Sequence, residues 1–404
     1  MYLPLIQTTT FTKPPIDIKN DHIIGKIVGA KPGPTVVFLG AIHGNEPAGL
    51  LGLKQLMEDY HNDPFDVCGT IYAIAGNLQA LKSRERYIKS DLNRMWNTEA
   101  IDHLLTLNEA DLSYEQREQK ELWDTIQDIK KKHNGPIYFM DIHTTSSSSI
   151  PFLTINDQLL NRAFCKQYPL PIILGIEEFI TGPFLSYINE LGYVAFGFEA
   201  GQHDDPKAVH SAISFIYLSL VYTQSITLPK TRLHKYTQHL LKTSKGLKQF
   251  YEIYERYQIA PLENFKMLPN FYNFEHIHEG QALAVSNQIT IKATNDTTIF
   301  MPLYQGKGED GYYLIRPIPK LFLGMSKWIR RLKIDRILPL LPGVNFDSKQ
   351  KNALVVDKRW AFLFRKQFLH LMGYRTKTLD KLHLRAKNRE AASKKKLYKK
   401  TNWY

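Results

Sequence analysis

Two segments far apart in the chain carry residue types that ligate a divalent metal. His43-Gly44-Asn45-Glu46 follows one apolar run and Asp141-Ile142-His143 ends another, so two imidazoles and one carboxylate are available. Such a set suits a Zn²⁺ ion held by three protein ligands, which leaves the fourth position for water and separates a catalytic zinc from a closed structural one. His43 and Glu46 can close on one ion from a single turn, whereas His143 must arrive from a distant strand. A bare H-x-x-E is also what ordinary turns present, and a His ending a strand is commonly satisfied by its own turn. The residues alone leave both readings open.

Alternating strands and helices must position these groups. Thr35 to Ile42 is β-branched and apolar and reads as a buried strand, after which Gly44 and Pro47 turn the chain into the apolar-periodic stretch Ala48 to Tyr60. His22 to Val28, Thr70 to Ala75, Pro136 to Ile142, Pro171 to Leu174 and Tyr193 to Phe198 read as further strands. Helices are expected from Ser113 to Lys132, with Gln116 as capping-box partner, over Asp157 to Gln167, and from Pro206 to Tyr222 with Asp205 at the N-cap. This alternation argues an α/β layered domain with a parallel or mixed central sheet. Past residue 230 a basic connector, Lys230 to Lys248, precedes short strand-like runs punctuated by Pro, Gly and Asn. Among these, Ile289 to Ala293 and Thr298 to Met301 read as a hairpin about Asn295-Asp296.

Five ordered blocks resemble the succinylglutamate desuccinylase and aspartoacylase family, relatives of the zinc carboxypeptidases. They are Gly40 to Glu46, Ala75-Gly76-Asn77, Arg86-Tyr87-Ile88 with Asp91 to Arg94, Met140 to Thr145, and Gly197 to Gln202. The resemblance is good over residues 21 to 225, loose to about 319 and absent beyond. It implies a three-layer zinc-carboxypeptidase-like α/β domain with a mixed central sheet (1–230), then a small all-β domain (231–319), and it leaves a basic extension (320–404), expected to be helical. It implies one Zn²⁺ per chain on His43, Glu46 and His143. Glu199 matches the family's catalytic glutamate, while Asn93 and Arg94 would bind the substrate's α-carboxylate and Arg86 would polarise the scissile carbonyl.

The residue types agree with those roles. Glu199 ends a buried strand between Gly197 and Gly201, where a carboxylate can take a proton from water and pass it to a leaving amine. An arginine fork meets a carboxylate bidentately and stays charged. Asp91 can orient an arginine, and Asp141, two residues from His143 along a strand, shares its face and can accept a ring N–H. No arginine occurs between Gly175 and Tyr193 to read the distal carboxylate of an acyl group, so the acyl group stays open. Thr144, Thr145 and Ser146 to Ser149 offer hydroxyls, and Tyr312 or Tyr313 could cover the pocket.

Composition bounds the rest. The 404 residues are 43% hydrophobic and 12% aromatic, enough for large cores. No basic start precedes an apolar run and no apolar stretch spans a bilayer, while two cysteines support neither a disulfide framework nor a thiolate metal site; a cytoplasmic enzyme is expected. The net charge of +13 is local: residues 320–404 hold 23 Lys and Arg against 5 Asp and Glu, and residues 1–319 hold 29 against 34. On composition that tail is a packed or solvated appendage, dispensable after Met372; nucleic acid is not an expected partner, and membrane-surface contact is the less favoured alternative. The function expected is a zinc-dependent deacylase cleaving the amide, or an ester, of an N-acyl amino acid. The alternatives are a zinc carboxypeptidase acting on small peptides and a degenerate, anchoring protein.

Overall fold

A computed structural model describes residues 21–133, 135–348, 352–360 and 366–404. The chain starts with β1 (Ile23–Val28), β2 (Lys31–Gly40), α1 (Ala48–Asn62), β3 (Cys68–Ala75), α2 (Leu78–Ser83), α3 (Thr98–Leu104), α4 (Tyr114–Lys132) and β4 (Ile137–Thr145). It continues through β5 (Phe152–Ile155), α5 (Leu159–Cys165), β6 (Ile172–Leu174), α6 (Phe184–Glu190), β7 (Val194–Gln202), α7 (Pro206–Tyr222) and α8 (Lys230–Thr243). Strands β2, β3, β4 and β7 are mutually parallel neighbours at the centre, and β1 and β5 run antiparallel to β3 and β7. The sheet is therefore mixed, as the alternation predicts.

Three layers follow from the pleat. Val36 and Phe38 of β2 point into one core with α1 and α7, while Val37 and Leu39 point into another with α4 and α6. A strand buried on both faces reads as a continuous apolar run, which is what Val36 to Leu39 shows. The capping box of Ser113 and Gln116 opens α4, and Asp205 accepts the Lys207 N–H to open α7.

The following strands are β8 (Phe250–Gln258), β9 (Phe265–Met267), β10 (Glu275–Ile277), β11 (Ala282–Ser286), β12 (Ile289–Lys292), β13 (Thr297–Phe300) and β14 (Asp310–Pro317). Four of them do not stand apart: β8, β14, β13 and β10 extend the central sheet beyond β6 to eleven strands, and only β9, β11 and β12 form a small sheet of their own. The hairpin expected about Asn295-Asp296 does not form, because β12 pairs with β11 and β13 pairs with β14 and β10. The tight turn is instead Asn287-Gln288, both at positive φ, the geometry that two-residue hairpins require.

The extension, expected to be helical, is mixed helix and strand. After α9 (Lys320–Arg331) come β15 (Val344–Phe346), β16 (Ala353–Asp357), α10 (Lys366–Leu371), β17 (Tyr374–Thr378), β18 (His383–Asn388) and the short α11 (Lys395–Tyr398). The four strands make an antiparallel sheet ordered β15-β16-β18-β17 over a core that includes Leu338, Val356 and Ala386. Among the described residues no helix is long and apolar enough to cross a membrane.

Candidate active site

The site lies at the C-terminal ends of β2, β4 and β7, where parallel strands of an open α/β sheet present ligand-binding loops. Beyond β2, Ala41 adopts a left-handed φ of 57°, and the turn His43 to Glu46 follows. A Cβ on Gly44 would lie 2.1 Å from the carbonyl carbon of Ala80, so only glycine lets this turn seat against α2. The Gly44 N–H donates to the Arg86 carbonyl at 3.2 Å, and Glu115 of α4 accepts the Ile88 N–H at 2.7 Å, which fixes the loop that carries Arg86.

His43, Glu46 and His143 converge and are all buried. Nδ1 of each imidazole lies 2.9 Å from a different oxygen of the Glu46 carboxylate, and the ring centroids are 5.2 Å apart. The opposite nitrogens each meet a carboxylate: His143 Nε2 lies 2.8 Å from Asp141 Oδ2, and His43 Nε2 lies 3.1 Å from Asp91 Oδ1. A carboxylate behind each imidazole fixes ring orientation and raises ligand basicity, the usual support of metal-bound histidines. The donor set of two nitrogens and one oxygen fits a single divalent ion, and these residues could hold one.

Charge is concentrated here. Burial alone would raise the Glu46 carboxyl, but His43 and His143 hold it well below its ordinary value. Asp91 is likewise held low against burial by His43 and Arg86. The Arg86 guanidinium, kept charged against burial by Asp91 and Glu46, donates to Asp91 Oδ2 at 2.9 Å and to Glu46 Oε1 at 3.3 Å. Glu199 on β7 stands in register with His143 on β4, so the two side chains share a sheet face. Burial, with Glu46 and Asp141 nearby, pushes the Glu199 carboxyl up to about 8, and its Oε2 has no hydrogen-bond partner among the described residues.

A cavity of about 180 Å³ is lined by these groups together with Asn93, Arg94, Thr144, Ile180, Leu185, Met301 and Tyr313. Asn93 Oδ1 accepts the Phe184 N–H at 2.8 Å, so the amide NH₂ is what Asn93 offers a ligand. Arg94 is partly exposed and stands 3.9 Å from Asp310 Oδ2 of β14. All seven residues expected at the site thus line one cavity. The hydroxyl run is mostly engaged internally: Thr145 donates to the Ser147 carbonyl, and Ser146 and Ser147 accept from Tyr304 N–H and Asn273 Nδ2. Tyr313 lines the cavity, whereas Tyr312 stacks on Tyr257 in the neighbouring core.

Several lining residues carry no signal of their own in the sequence, among them His203, Gln305 and Asp310. His203 Nδ1 lies 2.7 Å from Thr144 Oγ1 and its Nε2 lies 3.3 Å from Gln305 Oε1, while Asp310 approaches Arg94. Gln305 and Asp310 come from the late strands, and no local pattern ties them to His43. Only His203, one residue beyond the Gly197 to Gln202 block, lay near a recognised motif.

Residues 32–211 match the family described as "Succinylglutamate desuccinylase/Aspartoacylase catalytic domain". This stretch, less than half of the chain, is similar to that family's catalytic domain. A probable aspartoacylase of Acaryochloris marina is 32% identical over 128 residues, which are 31% of this chain and 40% of that one. A succinylglutamate desuccinylase of Serratia proteamaculans is 30% identical over 121 residues, 30% of this chain and 35% of that one. The alignments thus span well under half the length of these curated relatives. The solved succinylglutamate desuccinylase of Vibrio parahaemolyticus superposes with a TM-score of 0.54 at 14% identity, covering 73% of this chain and 86% of that one; this likeness is one of fold.

Proposed function

We propose that this chain is a zinc-dependent hydrolase that cleaves the amide bond of an N-acyl amino acid. The observation that carries the reading is the convergence of both imidazoles on Glu46, each backed by its own carboxylate, beside a buried Glu199 with an unpartnered oxygen. His43, Glu46 and His143 would hold the ion. A zinc ion bound there would lower the pKa of a water toward ~7 and polarise the scissile carbonyl.

The chain's own groups do the remainder. Glu199, whose raised affinity for a proton suits a group that both accepts and returns one, takes the proton of the attacking water and delivers it to the leaving nitrogen. Arg86, held by Asp91 and Glu46, presents its remaining N–H groups to the developing oxyanion. Arg94 and the Asn93 amide bind the substrate's α-carboxylate, for which the distant Asp310 is a weak competitor at 3.9 Å. The apolar Ile180, Leu185 and Met301 wall the rest of the cavity.

The test is a hydrolysis screen of zinc-loaded full-length protein against N-acetyl and N-succinyl amino acids and dipeptides, with Arg94→Ala in parallel. Turnover of an N-acyl amino acid, with KM raised in the variant, is expected. Preference for dipeptides would move the assignment to a carboxypeptidase, and hydrolysis of neither class would overturn it.

A further inference from the structure

Helix α9 packs Leu323 and Ile329 against the protein, but its most buried side chains are polar and much of its apolar surface faces outward. Its buried positions are Ser326 and Arg330, whose hydroxyl and guanidinium bond the Leu371 and His370 carbonyls, and Arg330 also pairs with Asp157 at 2.6 Å. Its outward stripe is apolar. Leu321, Met325, Trp328 and Leu332, spaced four, three and four residues apart, share one face. Leu321 is 70%, Trp328 65% and Leu332 66% exposed, and Phe322 on the same helix and Ile337 and Leu340 in the segment after it are exposed as well. An exposed apolar stripe along one helix face marks an interaction surface.

The surroundings of the stripe give it a sign. Lys320, Lys327, Arg331, Lys333 and Arg336 flank it, and α9 itself carries no acidic residue. Beside it opens a groove of about 1020 Å³ between α9, α5 and the start of β8. Arg162, Lys166, Lys248, Lys320, Lys327 and Arg331 line this groove, and among the described residues no carboxylate does. Its floor and walls include Leu247, Phe250 and Ile318.

We propose that α9 docks this protein on an anionic phospholipid surface, with the apolar stripe in the headgroup and acyl boundary and the cationic groove on lipid phosphates. An interfacial helix needs this combination of an apolar face carrying Trp with a basic polar margin. A second copy of the chain fits less well, because a two-fold contact through the stripe would bring the same lysines and arginines against one another. A nucleic acid would use the cations and leave the stripe in water. The inference does not depend on the hydrolase reading.

Full-length protein is sedimented at physiological salt with vesicles of phosphatidylcholine alone and of phosphatidylcholine with phosphatidylglycerol. Capture by the anionic vesicles only is expected. Trp328→Ser with Leu332→Ser, and separately Lys320→Glu with Lys327→Glu and Arg331→Glu, should each lower partitioning at least about ten-fold, since adjacent basic residues and buried apolar area both add to binding. These side chains are exposed, so melting temperatures should stay at the wild-type value. Trp328→Ala alone, with a smaller loss in the same direction, guards against a misfolded double variant. Failure of the anionic vesicles to capture wild type would overturn the proposal, and so would wild-type capture of the Trp328→Ser, Leu332→Ser variant. A wild-type dimer that this variant makes monomeric, without vesicle capture, would reassign the face to self-association.

Discussion

His143 directs Nδ1 at Glu46 and Nε2 at Asp141, each within 2.9 Å, so the ring cannot turn without losing a carboxylate on one side. A metal ion held by His43, Glu46 and His143 would meet rings already oriented. Purified protein should therefore contain about one zinc per chain, and His43→Ala, Glu46→Ala or His143→Ala should remove metal and hydrolysis together. Asp141→Asn should retain the site but weaken metal affinity roughly 10- to 100-fold, the usual scale for a carboxylate behind a ligating histidine. Metal analysis and competitive chelator titration check both. Stoichiometric zinc in the three alanine variants would place the metal elsewhere.

The carboxyl of Glu199 faces the same cavity without a hydrogen-bond partner for Oε2. Glu199→Gln keeps shape and volume and removes the exchangeable proton. It should bind zinc and substrate normally while kcat falls about 10²- to 10⁴-fold, the range attributed to a lost general acid–base. Single-turnover kinetics separate the chemical step from binding, and near-wild-type kcat would transfer the proton transfer to another group.

The parts of this arrangement visible in the sequence were those written in local pattern. The apolar run into His43, the capping box at Ser113 and the Asp205 cap are each set by residues within a few positions, and the structure has all three. The C-terminal sheet was hidden because its strands alternate apolar with basic residues. His383-Leu384-Arg385-Ala386-Lys387 reads as a solvated charged run, yet Ala386 is buried and Arg385 pairs with Asp347. The turn at Asn287-Gln288 lacks the glycine that normally announces it, so Asn295-Asp296 looked the stronger signal. Asp310 and Gln305 reach the site only through the extension of the central sheet, a tertiary event with no local signature.

Asp157 joins the extension to the catalytic layers. It pairs with Arg162 on α5, with Arg330 on α9 and more distantly with Arg389, all nearly buried. Burial by itself would raise its carboxyl, but Arg162, Arg330 and Arg389 hold it well below the usual carboxylate range. A depressed folded-state pKa stabilises above the unfolded value of about 3.9, and that contribution fades as pH falls from there through the folded value. Asp157→Asn takes from Arg162 its carboxylate partner and leaves Arg330 only Glu390 at 3.6 Å, and should cost about 3–5 kcal/mol at neutral pH. Thermal unfolding from pH 7 down to pH 3 should show the wild type losing stability at the acid end more steeply than the variant. Parallel curves would mean that Asp157 contributes nothing ionic.

Truncation after Met372 tests whether the basic tail is an appendage. Composition makes its removal look harmless, but the structure places its last residues beneath the central sheet. Tyr398 is fully buried, its hydroxyl donating to the Ile137 carbonyl at 2.5 Å and accepting the Val194 N–H at 3.0 Å, so it ties together the starts of β4 and β7. Trp403 Nε1 donates to Tyr138 Oη at 3.2 Å, and Arg389 pairs with Glu177. The same cut removes β17 and β18, half of the four-stranded sheet. The truncated chain should be insoluble or melt far below the full-length protein, and Tyr398→Ala alone should cost about 3–5 kcal/mol, as for other large buried aromatics. Lys399→Glu with Lys400→Glu, changing only exposed charge nearby, should leave the melting temperature within a few degrees, since surface substitutions are usually worth about 0.5 kcal/mol or less. A truncated chain that melts with the wild type would return residues 373–404 to the status of a solvated tail.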